Sequence, residues 1–128
     1  MSSSLAPARL AAPLALMALI FYLSAQESVG PELPAFTRVV AHFGEYALLA
    51  ALWAWALVPE LGRRGLWVAA AICALYAVGD EIHQRYVEGR DSDPIDVLTD
   101  WAGIAVALLA ISRLGARRAA SRRRPTSP

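Results

Sequence analysis

The segment Leu66–Gln84 reads LWVAAAICALYAVGDEIHQ, and it decides the fold. Its first fourteen residues carry no charge, and its last five are Asp80-Glu81-Ile82-His83-Gln84. At about 1.5 Å per residue, a helix of this length crosses the roughly 30 Å hydrocarbon core of a bilayer. Ionisable groups at the edge of a bilayer are costly to keep there and usually mark a working site. The segment therefore predicts a membrane-spanning helix with a polar site at one end.

The rest of the chain repeats this pattern. Of its 128 residues 57% are hydrophobic, and they are grouped in long runs, which is typical of membrane helices. Pro59–Gly65 is predicted to be a loop, and Asp93-Pro94 is predicted to start a helix. We therefore predict an all-α integral membrane protein, a bundle of four transmembrane helices. Its predicted parts are a short cytoplasmic N-terminus 1–9, a membrane domain 10–114 with helices at Leu10–Ala25, Val39–Val58, Leu66–Gln84 and Ile95–Leu114, and a disordered Arg-rich cytoplasmic tail 115–128.

The basic residues predict the orientation. All twelve are Arg, and Arg9, the Arg63-Arg64 pair and the six Arg between Arg113 and Arg124 lie on one side of the predicted bundle. The positive-inside rule places that side in the cytoplasm, together with both termini, for a multi-pass membrane protein. An alternative stays open. Arg9, the following apolar run and Ser24-Ala25-Gln26 also resemble a cleaved signal peptide, whose removal would leave three helices.

Polar residues of all four predicted helices reach the outer level in this topology. We expect the side chains of Glu45, Asp80, His83 and Asp100 to lie within about 12 Å of one another, since costly intramembrane charges face the interior and pair. Ser24 and Gln26 end the first helix and are candidate ligand-binding residues, as is the loop residue Arg90. The candidate catalytic residues are His42, Glu45, Asp80, Glu81, His83, Gln84, Arg90, Asp96 and Asp100.

Five carboxylates are expected near one another, and they are too crowded for all of them to stay ionised in a low dielectric. They are Glu45, Asp80, Glu81, Asp96 and Asp100. They must share protons, hold a cation or open to water. His and carboxylate side chains suit zinc or manganese, but no spacing here is a metal motif. A divalent metal is compatible with the sequence without being required, and its ligands would be His42, Glu45, His83 and Asp100. The pair His42 and Glu45 also suits a proton relay or a buried hydrogen-bonded pair.

Several short motifs together resemble the VanZ-like family of small bacterial membrane proteins. The resemblance covers roughly residues 15–110, and it departs from the family pattern at Glu88, where Pro is usual, and at Ala107, where a second Gly is frequent. The motifs are Phe21-Tyr22-Leu23-Ser24-Ala25-Gln26, His42-Phe43-Gly44-Glu45-Tyr46, Asp80-Glu81-Ile82-His83-Gln84 with Gly89-Arg90, and Asp96-Val97-Leu98-Thr99-Asp100 with Gly103.

The resemblance implies a cell-envelope context, since the family is named for low-level resistance to the glycopeptide teicoplanin. Two function classes follow. In the first, the protein binds an envelope component or a glycopeptide-related ligand, or acts as an accessory factor for one. In the second, it is a membrane-embedded hydrolase of an envelope lipid or lipid-linked precursor, with a His as base or nucleophile and Arg90 holding the anion. The sequence leaves enzyme and binder undecided. The expected partners are the lipid bilayer and such a ligand, with no nucleic acid, and a homo-oligomer is compatible.

Overall fold

The computed structural model describes residues 7–26, 34–89 and 92–125, and these residues form four α-helices. Helix α1 spans Pro7–Ser24, α2 spans Ala35–Leu61, α3 spans Arg63–Arg85 and α4 spans Pro94–Arg122. No strand occurs in the described part of the chain. The all-helical, four-helix prediction is confirmed.

Each helix is long and apolar enough to cross a membrane. Within the most apolar stretch of each helix, only 17% of the residues in α1 and at most 33% in the others are buried inside the bundle. Large apolar side chains instead point outward: Phe36 is 77% exposed, Trp67 78% and Leu75 73%. In water, a protein with such an apolar surface would aggregate, whereas the acyl chains of a bilayer solvate that surface. The protein is a multi-pass membrane protein.

Helix α2 lies at the centre of the bundle. It contacts α1, α3 and α4, and α3 also contacts α1 and α4, whereas α1 and α4 do not touch in the described residues. Tyr46, Leu49 and Ala50 of α2 are fully buried in the core. Small side chains face them from α3, namely Ala69, Cys73 and Ala77, which allows the two helices to approach closely. Cys73 is a buried packing residue with a free thiol.

The connection between α2 and α3 is shorter than predicted. The expected loop Pro59–Gly65 is wrong, because α2 continues to Leu61 and only Gly62 separates it from α3. Gly62 makes this turn with a φ of +60°, a conformation that costs glycine little. Pro59 lies in the last turn of α2 and cannot donate to the carbonyl of Trp55. Arg9 of α1 donates to that carbonyl instead, at 3.5 Å.

The ends of α4 are set by its sequence. Asp93 caps the N-terminus as predicted: its carboxylate accepts a hydrogen bond from the backbone N–H of Ile95 at 3.0 Å, and Pro94 occupies the first turn. The predicted end near Leu114 is wrong, since the helix continues to Arg122. Ala and Arg are strong helix formers, and they outweigh the cost of about 1 kcal/mol at Gly115.

Candidate functional site

Two pairs of charged residues meet where α2 and α4 run side by side from the same end of the bundle. On α2, Arg38 and His42 are one turn apart, and on α4, Asp96 and Asp100 are also one turn apart. The helices come close together here, because a Cβ added at Gly103 would overlap the backbone of Phe43. The close approach brings the two pairs into register.

The four side chains form one network. His42 Nδ1 lies 2.9 Å from Asp100 Oδ1, and His42 Nε2 lies 3.6 Å from Asp96 Oδ2. Arg38 Nη2 donates to the same Asp96 oxygen at 2.6 Å. The side chains become more buried with depth, from 41% exposed at Arg38 to 8% at Asp96 and 3% at Asp100. The network is therefore accessible from the surface of the protein at Arg38 and buried at Asp100.

Tyr46 extends this network to α3. It lies one turn below His42 and is fully buried, and its hydroxyl donates to Asp80 Oδ2 at 3.5 Å. Gln84 Nε2 donates to the same Asp80 oxygen at 3.4 Å. Tyr46, one turn from His42 on α2, thus links Asp80 of α3 to the pair of His42 and Asp100. We call Arg38, His42, Tyr46, Asp80, Gln84, Asp96 and Asp100 the polar cluster.

His83 points to a different neighbour, although it shares a turn of α3 with Asp80. Its Nδ1 lies 3.3 Å from Ser24 Oγ of α1, and its ring stacks on Phe21 at 4.5 Å between centroids. Ser24 Oγ also donates to the Phe21 carbonyl at 3.1 Å. The pair His83 and Ser24 thus joins α1 to α3 beside the polar cluster, and whether it lies within about 12 Å of Glu45 and Asp100 stays a prediction.

The other predicted site residues are distributed around these two groups. Glu45 is half-buried on α2, three residues after His42 and one before Tyr46. Glu81 is buried and accepts a hydrogen bond from Ser92 Oγ at 2.5 Å, which ties α3 to the start of α4. Gln26 is exposed, and its Nε2 donates to a carbonyl of its own helix. Arg90 lies outside the described residues.

The polar cluster contains a buried hydrogen-bond acceptor that no described residue satisfies. Gln84 is 2% exposed, and within the described residues its Oε1 has no hydrogen-bond partner. Leaving a buried acceptor unsatisfied costs about 1–3 kcal/mol. A ligand that donates a hydrogen bond would remove this cost. Nowhere in the described part of the chain do three or more His, Cys, Asp or Glu side chains form a group that could hold a metal ion.

The arrangement has two chemical capabilities. Its three aspartates accept hydrogen bonds, and Arg38 at the mouth can bind an anion. His42, held through Nδ1 by a buried carboxylate, is placed as general bases are. Sequence reasoning missed Arg38 and Tyr46 as members. Their signal was the spacing Arg38, His42, Tyr46, in steps of four that place all three on one helical face.

The chain was compared with known proteins. A family model described as VanZ/LLP1 matches residues 10–115, which include nearly all of the four-helix bundle. No curated protein and no solved structure matches the chain.

Proposed function

The chain belongs to the VanZ/LLP1 family, and we propose that it binds the headgroup of a cell-envelope lipid or lipid-linked precursor at the polar cluster. The headgroup would enter at Arg38, which is the exposed end of the network. It would carry a phosphate, to pair with this guanidinium, and hydroxyl or amine groups, to donate to the acceptors below. We further propose that the cluster faces outward from a bacterial cytoplasmic membrane.

The observation that carries this proposal is the burial of Asp96 and Asp100 with His42 between them, inside an apolar bundle. Removing such charges from water costs several kcal/mol per ion, and well-packed apolar residues often stabilise a protein as well or better. We infer that a ligand, and not the stability of the bundle, accounts for these buried charges.

A second candidate function is hydrolysis of a phosphoester or phosphoanhydride in that headgroup. The contact between His42 and Asp100 favours it, because a carboxylate on Nδ1 fixes the imidazole with Nε2 directed toward Asp96, at the more exposed end of the network. In this reaction water attacks the phosphorus and gives its proton to the imidazole. The bond between phosphorus and the leaving oxygen breaks, and the leaving group takes up a proton.

One experiment tests both candidates. The purified protein is reconstituted in nanodiscs with an isoprenyl pyrophosphate, and both bound lipid and released inorganic phosphate are measured. Retained lipid with no phosphate release supports binding alone. Phosphate release that falls by about 100-fold or more in His42→Gln supports hydrolysis, since general bases contribute this much. Glu60→Gln, at the other end of α2, is the matched control and should behave as wild type.

Lipid analysis in cells provides the second test. A deletion strain should accumulate or lose an envelope lipid, and expression of wild type or Glu60→Gln should restore the lipid composition, whereas His42→Gln should not. Teicoplanin susceptibility of the same strains is a further readout, suggested by the family resemblance. An unchanged lipid composition in the deletion strain, together with no lipid bound in nanodiscs, would refute the proposal.

A further inference from the structure

A groove between α3 and α4 lies at the end of the bundle opposite the polar cluster. It has a volume of about 380 Å³. The buried side chains of Ile104 and Leu108 form its floor, and the small side chains of Ala70, Ala74 and Ala105 leave it open. Large side chains in place of these three alanines would fill the groove. The groove is therefore a consequence of residue size along the two facing helices.

The groove faces the surrounding lipid and has the length of one leaflet. Trp67 and Leu109 also line it and are 78% and 59% exposed. The end of the groove nearer the polar cluster, its upper end, is closed by Trp101, whose indole N–H donates to the Ala74 carbonyl at 3.2 Å. Its lower end is Arg63, and from there to Ala74 α3 rises about 16 Å, half of a roughly 30 Å hydrocarbon core.

The lower end of the groove is positively charged. Arg63 lines it together with the half-buried Ser112 of α4. Arg64 and Arg113 follow these two residues in the sequence, and within the described part of the chain Glu60 is the one acidic residue at this end. An apolar groove that ends in a basic group matches a lipid whose acyl chain lies along the groove and whose anionic headgroup meets the basic group.

We propose that this groove binds one anionic phospholipid, with an acyl chain along the groove and its phosphate on Arg63. The guanidinium donates to two phosphate oxygens, and the Ser112 hydroxyl is a further donor. This site lies at the opposite end of the bundle from the polar cluster. It is independent of the function proposed there.

The test uses tryptophan fluorescence, because Trp67 and Trp101 line the groove. The full chain is reconstituted in phosphatidylcholine vesicles that contain brominated phosphatidylglycerol or, for comparison, brominated phosphatidylcholine at the same mole fraction. Bromine atoms in the groove quench both indoles. We expect the anionic lipid to compete for the site about tenfold better than the zwitterionic one, since charged hydrogen bonds are the strong ones.

Two pairs of variants locate the site. Arg63→Gln should abolish the preference, whereas Arg64→Gln, which removes the same charge one residue away from the groove lining, should keep it. Ala105→Phe fills the groove and should weaken quenching by both lipids. Ala110→Phe is its control, since Ala110 is exposed on α4 and does not line the groove. All four positions lack core contacts, so melting temperatures should stay near wild type.

Three outcomes would overturn the proposal. The first is equal quenching by the two lipids in wild type. The second is an equal loss of preference in Arg63→Gln and Arg64→Gln, which would indicate diffuse surface attraction. The third is efficient disulfide crosslinking of Ala105→Cys between two copies, together with quenching that does not depend on the lipid, which would place a second chain in the groove.

Discussion

At the scale of single residues, His42 and His83 show how two similar side chains acquire different surroundings. His42 is enclosed by Asp96 and Asp100 of α4. Within the described residues, His83 instead contacts a hydroxyl and an aromatic ring of α1. An imidazole between carboxylates is suited to proton transfer. His83 is better suited to orient α1 against α3, or to bind a ligand that displaces Ser24.

Removing one carboxylate tests whether the polar cluster is a site or a support. We expect Asp80→Asn and Asp100→Asn to leave the melting temperature in detergent unchanged or raised, because they relieve repulsion between neighbouring carboxylates. The same variants should fail to complement a deletion strain under envelope stress. Glu81 and His83 lie beside the polar cluster, and for Glu81→Gln and His83→Gln we also expect a lost phenotype without a lower melting temperature. Variants that melt early and regain the phenotype at lower temperature would instead assign the cluster a structural role.

Gln84 gives a second prediction at this scale. Gln84→Met keeps the side-chain volume and removes both the unsatisfied Oε1 and the Nε2 donor to Asp80, so gain and loss should nearly cancel and the free energy of unfolding should change by less than about 1 kcal/mol. Headgroup binding in nanodiscs should weaken at the same time. A large drop in stability would show that the amide has a stabilising role, and unchanged binding would show that Oε1 does not contact the ligand.

At the scale of helices, the close contact of α2 and α4 aligns the charged pairs. Gly103 makes it possible, since no side chain fits between its Cα and the Phe43 backbone. The sequence predicted the four helices and the start of α4 correctly. It misplaced the α2–α3 connection and the end of α4, because Pro59 and Gly115 read as helix breakers. Tertiary contacts such as that of Arg9 with Trp55 offset the local cost.

Substitution of glycines in α4 tests the role of this contact. Gly103→Ala should lower the free energy of unfolding by about 1–3 kcal/mol, because α2 and α4 must separate to admit the methyl group. It should also weaken headgroup binding, since the distances from Arg38 and His42 to α4 increase. The control is Gly115→Ala, where the added Cβ meets nothing within 4 Å. There we expect a gain of about 0.5–1 kcal/mol from helix propensity. Thermal melts in detergent measure both, and equal effects would refute the packing argument.

At the scale of the whole molecule, the two ends of the bundle differ in charge. The polar cluster is at one end, and most arginines, including those of the extended α4, are at the other. Because basic residues stay in the cytoplasm, we expect the cluster to face outward.

Cysteine labelling tests the orientation. A Cys introduced at Gly30 or Asp91 should react with an impermeant thiol reagent in intact cells, and one at Gly62 or Gly115 should react only after lysis. Cys73 is buried, and the unsubstituted chain provides the background. Labelling at Gly62 in unbroken cells would show that the bundle has the opposite orientation.

The amino-acid sequence by itself determined the number and type of the helices, the membrane environment and the end of the bundle that carries the polar residues. These follow from hydrophobic run length and from the cost of burying charge, which are local properties. Only the tertiary structure decided which charges meet. Spacing put Asp80 and His83 on one stripe of α3, but packing directs Asp80 to Tyr46 of α2 and His83 to Ser24 of α1. Arg38 joined the site because the Gly103 contact sets the register of α2 on α4. Pairings of this kind depend on the rotation of each helix about its axis, which is fixed by close packing between helices.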